Sequence, residues 1–284
     1  MTSSSATAGS IALASNQPRW FSDNPDRAWG EKFFLAYSPI WMLSMAMMMF
    51  TGWQATFSDS ALLLHSFTVA LPLLLIPMFI YPAALGKSWW QSYWFKANIY
   101  MAIFSIFGNY FGSEYFFDVL GMVYHFPNAT TTLDPALVGH NNQSVPLIMY
   151  FYTHAYFMTY HTTAVIVLRR MMNSGLPLRW LLFLPLTLIV GYAWAWMETK
   201  AMANPLMATS FYYTNMPAML AYGSLIYATY FVASFPIFYF LDEQRLKPWK
   251  LVSVCSAALS ASMLVFYLLE VCAHWVNRLA VLSN

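Results

Sequence analysis

The stretch "GNYFGSEYFFDVLG", residues 108–121, decides how this chain is read. It closes an apolar run that begins near Ala97, yet it carries Asn109, Glu114 and Asp118. A charge at the centre of a membrane helix costs about 2.5–3.5 kcal/mol on insertion scales. A run with two carboxyls one turn apart therefore needs a polar enclosure or a place at the bilayer surface. The composition selects the membrane. Of 284 residues, 60% are hydrophobic and 8% charged, against about 25% charged in an ordinary soluble domain. That leaves too little polar surface to cover the chain in water.

Apolar stretches of about twenty residues can span a bilayer. Seven are present: 33–52, 61–84, 97–121, 146–168, 180–200, 216–241 and 251–273. Pro72, Pro77 and Pro236 predict kinks in the second and sixth. The basic residues then fall on alternate segments: Arg19, Arg27 and Lys32; Lys87 and Lys96; Arg169, Arg170 and Arg179; Arg245, Lys247 and Lys250. The opposite segments hold only Lys200 and Arg278. By the positive-inside rule this puts the N-terminus in the cytosol. The expected architecture is all-α, a polytopic membrane protein of about seven transmembrane helices. Residues 1–20 are expected to be a disordered tail, and 21–284 a single transmembrane helical domain. A net charge of +2 and no groove-reading motif give no reason to expect a nucleic-acid partner. Cys255 and Cys272 lie about 25 Å apart on one helix, too far to pair.

Depth along the helices, at about 1.5 Å per residue, brings Glu114, His154 and Glu198 into one layer of the distal half of the bilayer. His161 follows His154 by two turns, near the same face. Asp118 lies one turn closer to the surface than Glu114. Structural alternatives stand beside this reading: Asp118 and Glu198 as interfacial groups, and Glu114 with His154 as a buried pair between helices. Six histidines spread over 65–274 form no metal box, and no nucleophile elbow or phosphate loop is present. What remains is acid–base chemistry on an apolar substrate, with no metal and no cofactor.

Several stretches resemble the cycloeucalenol cycloisomerase (cycloeucalenol–obtusifoliol isomerase) family of plant sterol enzymes. They are "NPDRAWGEKFFLAYSPIW" (24–41), "YWFKANIYMAIFSIFGNYF" (93–111), "YFFDVLGMVYHFP" (115–127), "TH" with "YHTTAVIVLRR" (153–170), "METKAMAN" (197–204) and "FVASFPIFYFLDE" (231–243). The resemblance implies an isomerase of sterol biosynthesis, a multi-pass protein of the endoplasmic reticulum or, in a prokaryote, of the inner membrane. Its substrate would be a 9,19-cyclopropyl sterol, cycloeucalenol, opened to obtusifoliol without a cofactor, and membrane lipid would be its surroundings. Asn109, His154, Tyr160, His161, Glu198 and Asn204 match the family pattern. The match does not extend to Glu114 and Asp118, so no obligatory part is expected of either.

Opening a cyclopropane needs a proton delivered to carbon in a dry site. A buried carboxylic acid or a histidinium beside a carboxylate can supply it. Glu198 and His154 are the expected proton-handling pair, with Glu114 assisting and His161 nearby. Tyr110, Tyr160, Trp194 or Trp196 would face the transient cation. Asn204 or Asp118 would bind the sterol hydroxyl, and Asn109 would line the pocket. A sterol double-bond isomerase and a non-catalytic sterol-binding or transport protein are the competing readings.

Overall fold

The computed structural model describes residues 19–282. The expected tail lies, through residue 18, outside the described residues. The first long helix, α1 (Pro25–Thr51), begins with proline, whose missing N–H has no intrahelical partner to lose there. It stops at Gly52, whose φ of +70° turns the N–H back onto the Met48 and Met49 carbonyls. A single turn, α2 (Trp53–Thr56), leads to α3 (Asp59–Ala70), capped by the Ser58 hydroxyl. Pro72 then starts α4 (Pro72–Ile80), and the two helices meet at 45°. The proline ring clashes with the preceding turn, which is why the kink falls there.

Next comes α5 (Tyr93–Phe107), capped by Ser92, which passes through a π turn over Gly108–Gly112 into α6 (Ser113–Asp118). Strand β1 (Met122–Tyr124) opens the long loop to α7 (Leu147–Met172), followed by α8 (Arg179–Met202). Strand β2 (Phe211–Tyr213) pairs antiparallel with β1, Val123 opposite Tyr212. The short α9 (Met216–Ala218) runs through a second π turn, Met219–Gly223, into α10 (Ser224–Phe240), and α11 (Leu251–Leu282) ends the fold.

The all-α, membrane character is as expected; length and apolarity support only part of the expected span count. Four stretches are long and apolar enough to cross a membrane: Pro25–Thr51, Arg179–Met202, Met216–Phe240 and Leu251–Val276. The bent pair α3–α4 makes a fifth if taken as one span. By length and apolarity, four or five of the seven expected spans are supported among the described residues. The other two expected stretches are helical, as α5–α6 and α7, but neither meets that standard. The physical reason is position. Helix α7 touches α1, α3, α5, α8 and α10 and is buried almost all round. Its polar groups bond to protein, so it has no need of a lipid-facing apolar surface. Helices α8 and α11 do present one, through Leu181, Leu184 and Ile189, and through Val252, Leu259 and Val271.

One end of the bundle is tied by buried charges. Arg27 Nε donates to Glu31 Oε1 at 2.7 Å. Arg169 Nη2 donates to Glu31 Oε1 at 2.6 Å and to Glu243 Oε2 at 2.8 Å. Lys96 pairs with Asp242 at 2.7 Å. The opposite end holds the β ribbon and the 119–146 loop, and there the helices splay around a cavity.

Candidate active site

The cavity holds about 670 Å³ of empty space, counting its open mouth. Five parts of the chain build it. Asn109, Ser113 and Phe116 come from the first π turn and α6; Met149, Tyr152, Thr153, Tyr156 and Phe157 from α7. Helix α8 supplies Glu198, Thr199 and Met202, α10 supplies Tyr227 and Tyr230, and the ribbon closes one side with Tyr124, Phe211 and Tyr213. The α7 contribution is one helical face, positions 149, 152, 153 and 156, spaced by three and four. On α8 the inward face runs Gly191, Ala195, Thr199 and Met202 by the same spacing. Gly191 brings α8 close to α10, because a Cβ there would lie 2.9 Å from the Phe231 Cβ.

Among the described residues, Glu198 is the one carboxyl on this wall, and no Lys, Arg or His lines the cavity. The Tyr227 hydroxyl donates to Glu198 Oε2 at 2.5 Å, and Tyr160 is a second phenolic neighbour of the same carboxyl. Tyr160 in turn stacks on Trp194, centroids 4.3 Å apart, and Trp194 Nε1 donates to Thr163 Oγ1 at 3.1 Å. Asn109 is held in the π turn by donating to the Ser105 carbonyl at 2.9 Å, and it accepts from Thr153 Oγ1 at 3.4 Å.

Other expected site residues lie elsewhere. His154 does not meet Glu198. It is one residue off the cavity face of α7 and points to α5, where its Nε2 is 2.9 Å from Asn98 Oδ1. The Asn98 amide already donates to the Leu73 and Trp94 carbonyls, so Oδ1 accepts from His154. His161 is fully buried among Phe235, Phe238 and Tyr100, with Nδ1 donating to the Phe157 carbonyl at 2.7 Å. Tyr110 packs edge-on against Phe111. Trp196 is 39% exposed on the outer face of α8. Asn204 caps the turn after α8, accepting from Leu206 N at 2.8 Å and donating to the Ala201 carbonyl at 2.6 Å.

Glu114 and Asp118 border a second hollow, against α11 and the long loop. Glu114 Oε2 accepts from Asn141 N at 3.4 Å, and Asp118 Oδ2 accepts from His140 N at 3.0 Å. Tyr115 beside them donates to Glu270. The expected Glu114–His154 enclosure fails for a local reason. Asn109, Ser113 and Phe116 form the face turned to the cavity, spaced by four and three, and Glu114 lies one residue off that face.

Sequence reasoning missed Tyr227, Tyr156, Tyr124, Tyr213 and Thr199. A faint signal existed in Tyr227 and Tyr230, two phenols about one turn apart in a span without charged residues.

No protein-family model matches this chain, and no solved structure does. A curated relative, "Cycloeucalenol cycloisomerase" of Arabidopsis thaliana, is 36% identical over 263 residues, 90% of this chain and 89% of the relative. At that identity and coverage the chain belongs to the cycloeucalenol cycloisomerase family.

Proposed function

We propose that this enzyme, a cyclopropyl sterol isomerase, opens the 9,19-cyclopropane ring of cycloeucalenol or a close relative in the cavity around Glu198. The observation that carries the reading is the setting of Glu198: a lone carboxyl on an aromatic wall, hydrogen-bonded by the Tyr227 phenol with Tyr160 beside it, and with no cation lining the cavity among the described residues. A carboxyl so placed is suited to hold a proton and release it to a poor base.

The steps follow from that placement. Glu198 gives its proton to the cyclopropane methylene, the bond from that carbon to carbon 9 breaks, and an angular methyl group forms. Positive charge develops at carbon 9, where the faces of Phe116, Phe157 and Tyr230 are available to stabilise it. The carboxylate left on Glu198 accepts the proton lost from carbon 8. The alkene forms and the acid is regenerated, so the cycle closes without an oxidant or reductant. Tyr227 keeps the carboxyl oriented through both transfers. His154 and His161 act in this reading by fixing α7 to α5 and α10. The proposed setting is a sterol-making membrane, the endoplasmic reticulum in a eukaryotic cell.

The test is incubation of the purified protein in lipid nanodiscs with cycloeucalenol, with product analysis by mass spectrometry and NMR. The reading predicts an isomer of unchanged mass with a new angular methyl. A parallel incubation with a sterol lacking the cyclopropane but carrying a ring double bond should leave that sterol unchanged. Conversion of the second sterol alone would favour a double-bond isomerase.

A further inference from the structure

We infer that Thr199 forms a hydroxyl-binding subsite in the cavity and takes the ring-A alcohol of the sterol. The inference rests on the cyclopropyl sterol reading given above and says how that substrate is held.

A threonine inside a helix ordinarily satisfies its hydroxyl by donating to the carbonyl one turn back. Thr187 does so to Phe183 at 2.8 Å, Thr163 to Thr159 at 2.9 Å and Thr159 to Ala155 at 3.3 Å. Thr199 does not. It is 2% exposed, and its Oγ1 has no hydrogen-bond partner. The Tyr213 phenol is near, but the bond it makes is a long one to the Met122 sulfur, 3.7 Å, and the pair misses hydrogen-bond geometry. Thr162 is also unpartnered, but it does not line this cavity. A buried hydroxyl left without a partner costs about 1–3 kcal/mol. At a cavity wall that cost is relieved when a ligand alcohol arrives.

The position fits the chemistry. Thr199 directly follows Glu198, and both line the cavity. In a 9,19-cyclopropyl sterol the alcohol at carbon 3 and the methylene carried on carbon 10 lie across a single six-membered ring. An alcohol seated on Thr199 therefore leaves the methylene one ring-width away, beside the neighbouring carboxyl. The groups expected from sequence to bind this alcohol are engaged elsewhere, Asn204 in its cap and Asp118 with His140.

The experiment measures equilibrium binding and turnover of cycloeucalenol and its 3-deoxy analogue in nanodiscs. The proteins are wild type, Thr199→Val, which keeps the shape and removes the hydroxyl, and Thr199→Ser, which keeps the hydroxyl. Wild type should bind the alcohol about fivefold to tenfold more tightly than the deoxy analogue. Thr199→Val should bind both alike, with Thr199→Ser restoring the difference, and kcat/KM should follow the same pattern. Retention of the full preference by Thr199→Val, or an equal loss for both sterols, overturns the subsite. Should Thr199→Val not fold, Thr199→Ala carries the same comparison. If wild type turns over no cyclopropyl sterol, the functional reading fails, while the binding preference still decides the role of Thr199.

Discussion

At Glu198 the neighbours decide the chemistry. A carboxyl paired with Arg or Lys would be held as the anion. A phenol orients it without supplying a full countercharge. Tyr227→Phe removes the 2.5 Å hydrogen bond while keeping the ring. It should lower kcat about tenfold, the equivalent of one ordinary hydrogen bond, with sterol binding nearly unchanged. His154→Ala separates this account from the histidine pairing expected from sequence. It leaves Asn98 Oδ1 without its partner, so the protein should lose about 1–3 kcal/mol of stability. Turnover per folded molecule should stay close to wild type; a loss as deep as that of an acid knockout would return His154 to the chemistry. Glu198 was legible in the sequence because a carboxyl in an apolar run stands out. Its partners were not, because a tyrosine in a membrane helix looks the same whether it faces lipid, core or a site.

The elements explain which polar groups reach the cavity. Rise per residue put Glu114 and His154 in one layer, but depth says nothing about azimuth. The π turn at Gly108–Gly112 likewise leaves no clear mark in the sequence beyond its two glycines. Those glycines let α10 approach, since a Cβ at Gly112 would overlap the Tyr230 hydroxyl. Gly112→Ala should therefore cost about 1–3 kcal/mol and lower activity by displacing Tyr230 and Asn109. Adding Tyr230→Phe, which removes the clashing oxygen, should recover much of the loss in a thermal-shift assay. Absence of recovery would mean that the turn itself, not the contact, sets the geometry.

The whole molecule is a set of helices pinned at one end by charge and opened at the other around the cavity that holds Glu198. Sequence reasoning used the basic residues only to orient the chain. The structure buries Arg27 and Arg169 in a network with Glu31 and Glu243. Nothing in composition distinguishes a basic residue that faces headgroups from one that crosses the core to a distant carboxylate. Arg169→Ala leaves Glu31 poorly compensated and should destabilise the fold by about 3–5 kcal/mol. Burial alone would raise the Glu243 pKa, but Arg27 and Arg169 outweigh it and hold the group below the usual value of 4.5. A depressed carboxyl contributes stability that is full above about pH 4.5 and fades as pH falls through its folded value. The melting temperature should drop on acidification below pH 4.5, and Glu243→Gln should flatten that dependence. The orientation is testable at the same scale. With the native cysteines replaced by serine, His140→Cys should react with an impermeant maleimide only from the non-cytosolic side, and Lys247→Cys only from the cytosolic side.

The most direct measurement is turnover of cycloeucalenol by purified Glu198→Gln beside wild type, with melting temperature and sterol binding recorded on the same preparations. Glutamine keeps the shape and the phenol contact but has no proton to give. The account predicts a fall in kcat of at least about a hundredfold with binding and melting temperature preserved. A Glu198→Gln enzyme that isomerises at the wild-type rate would contradict it.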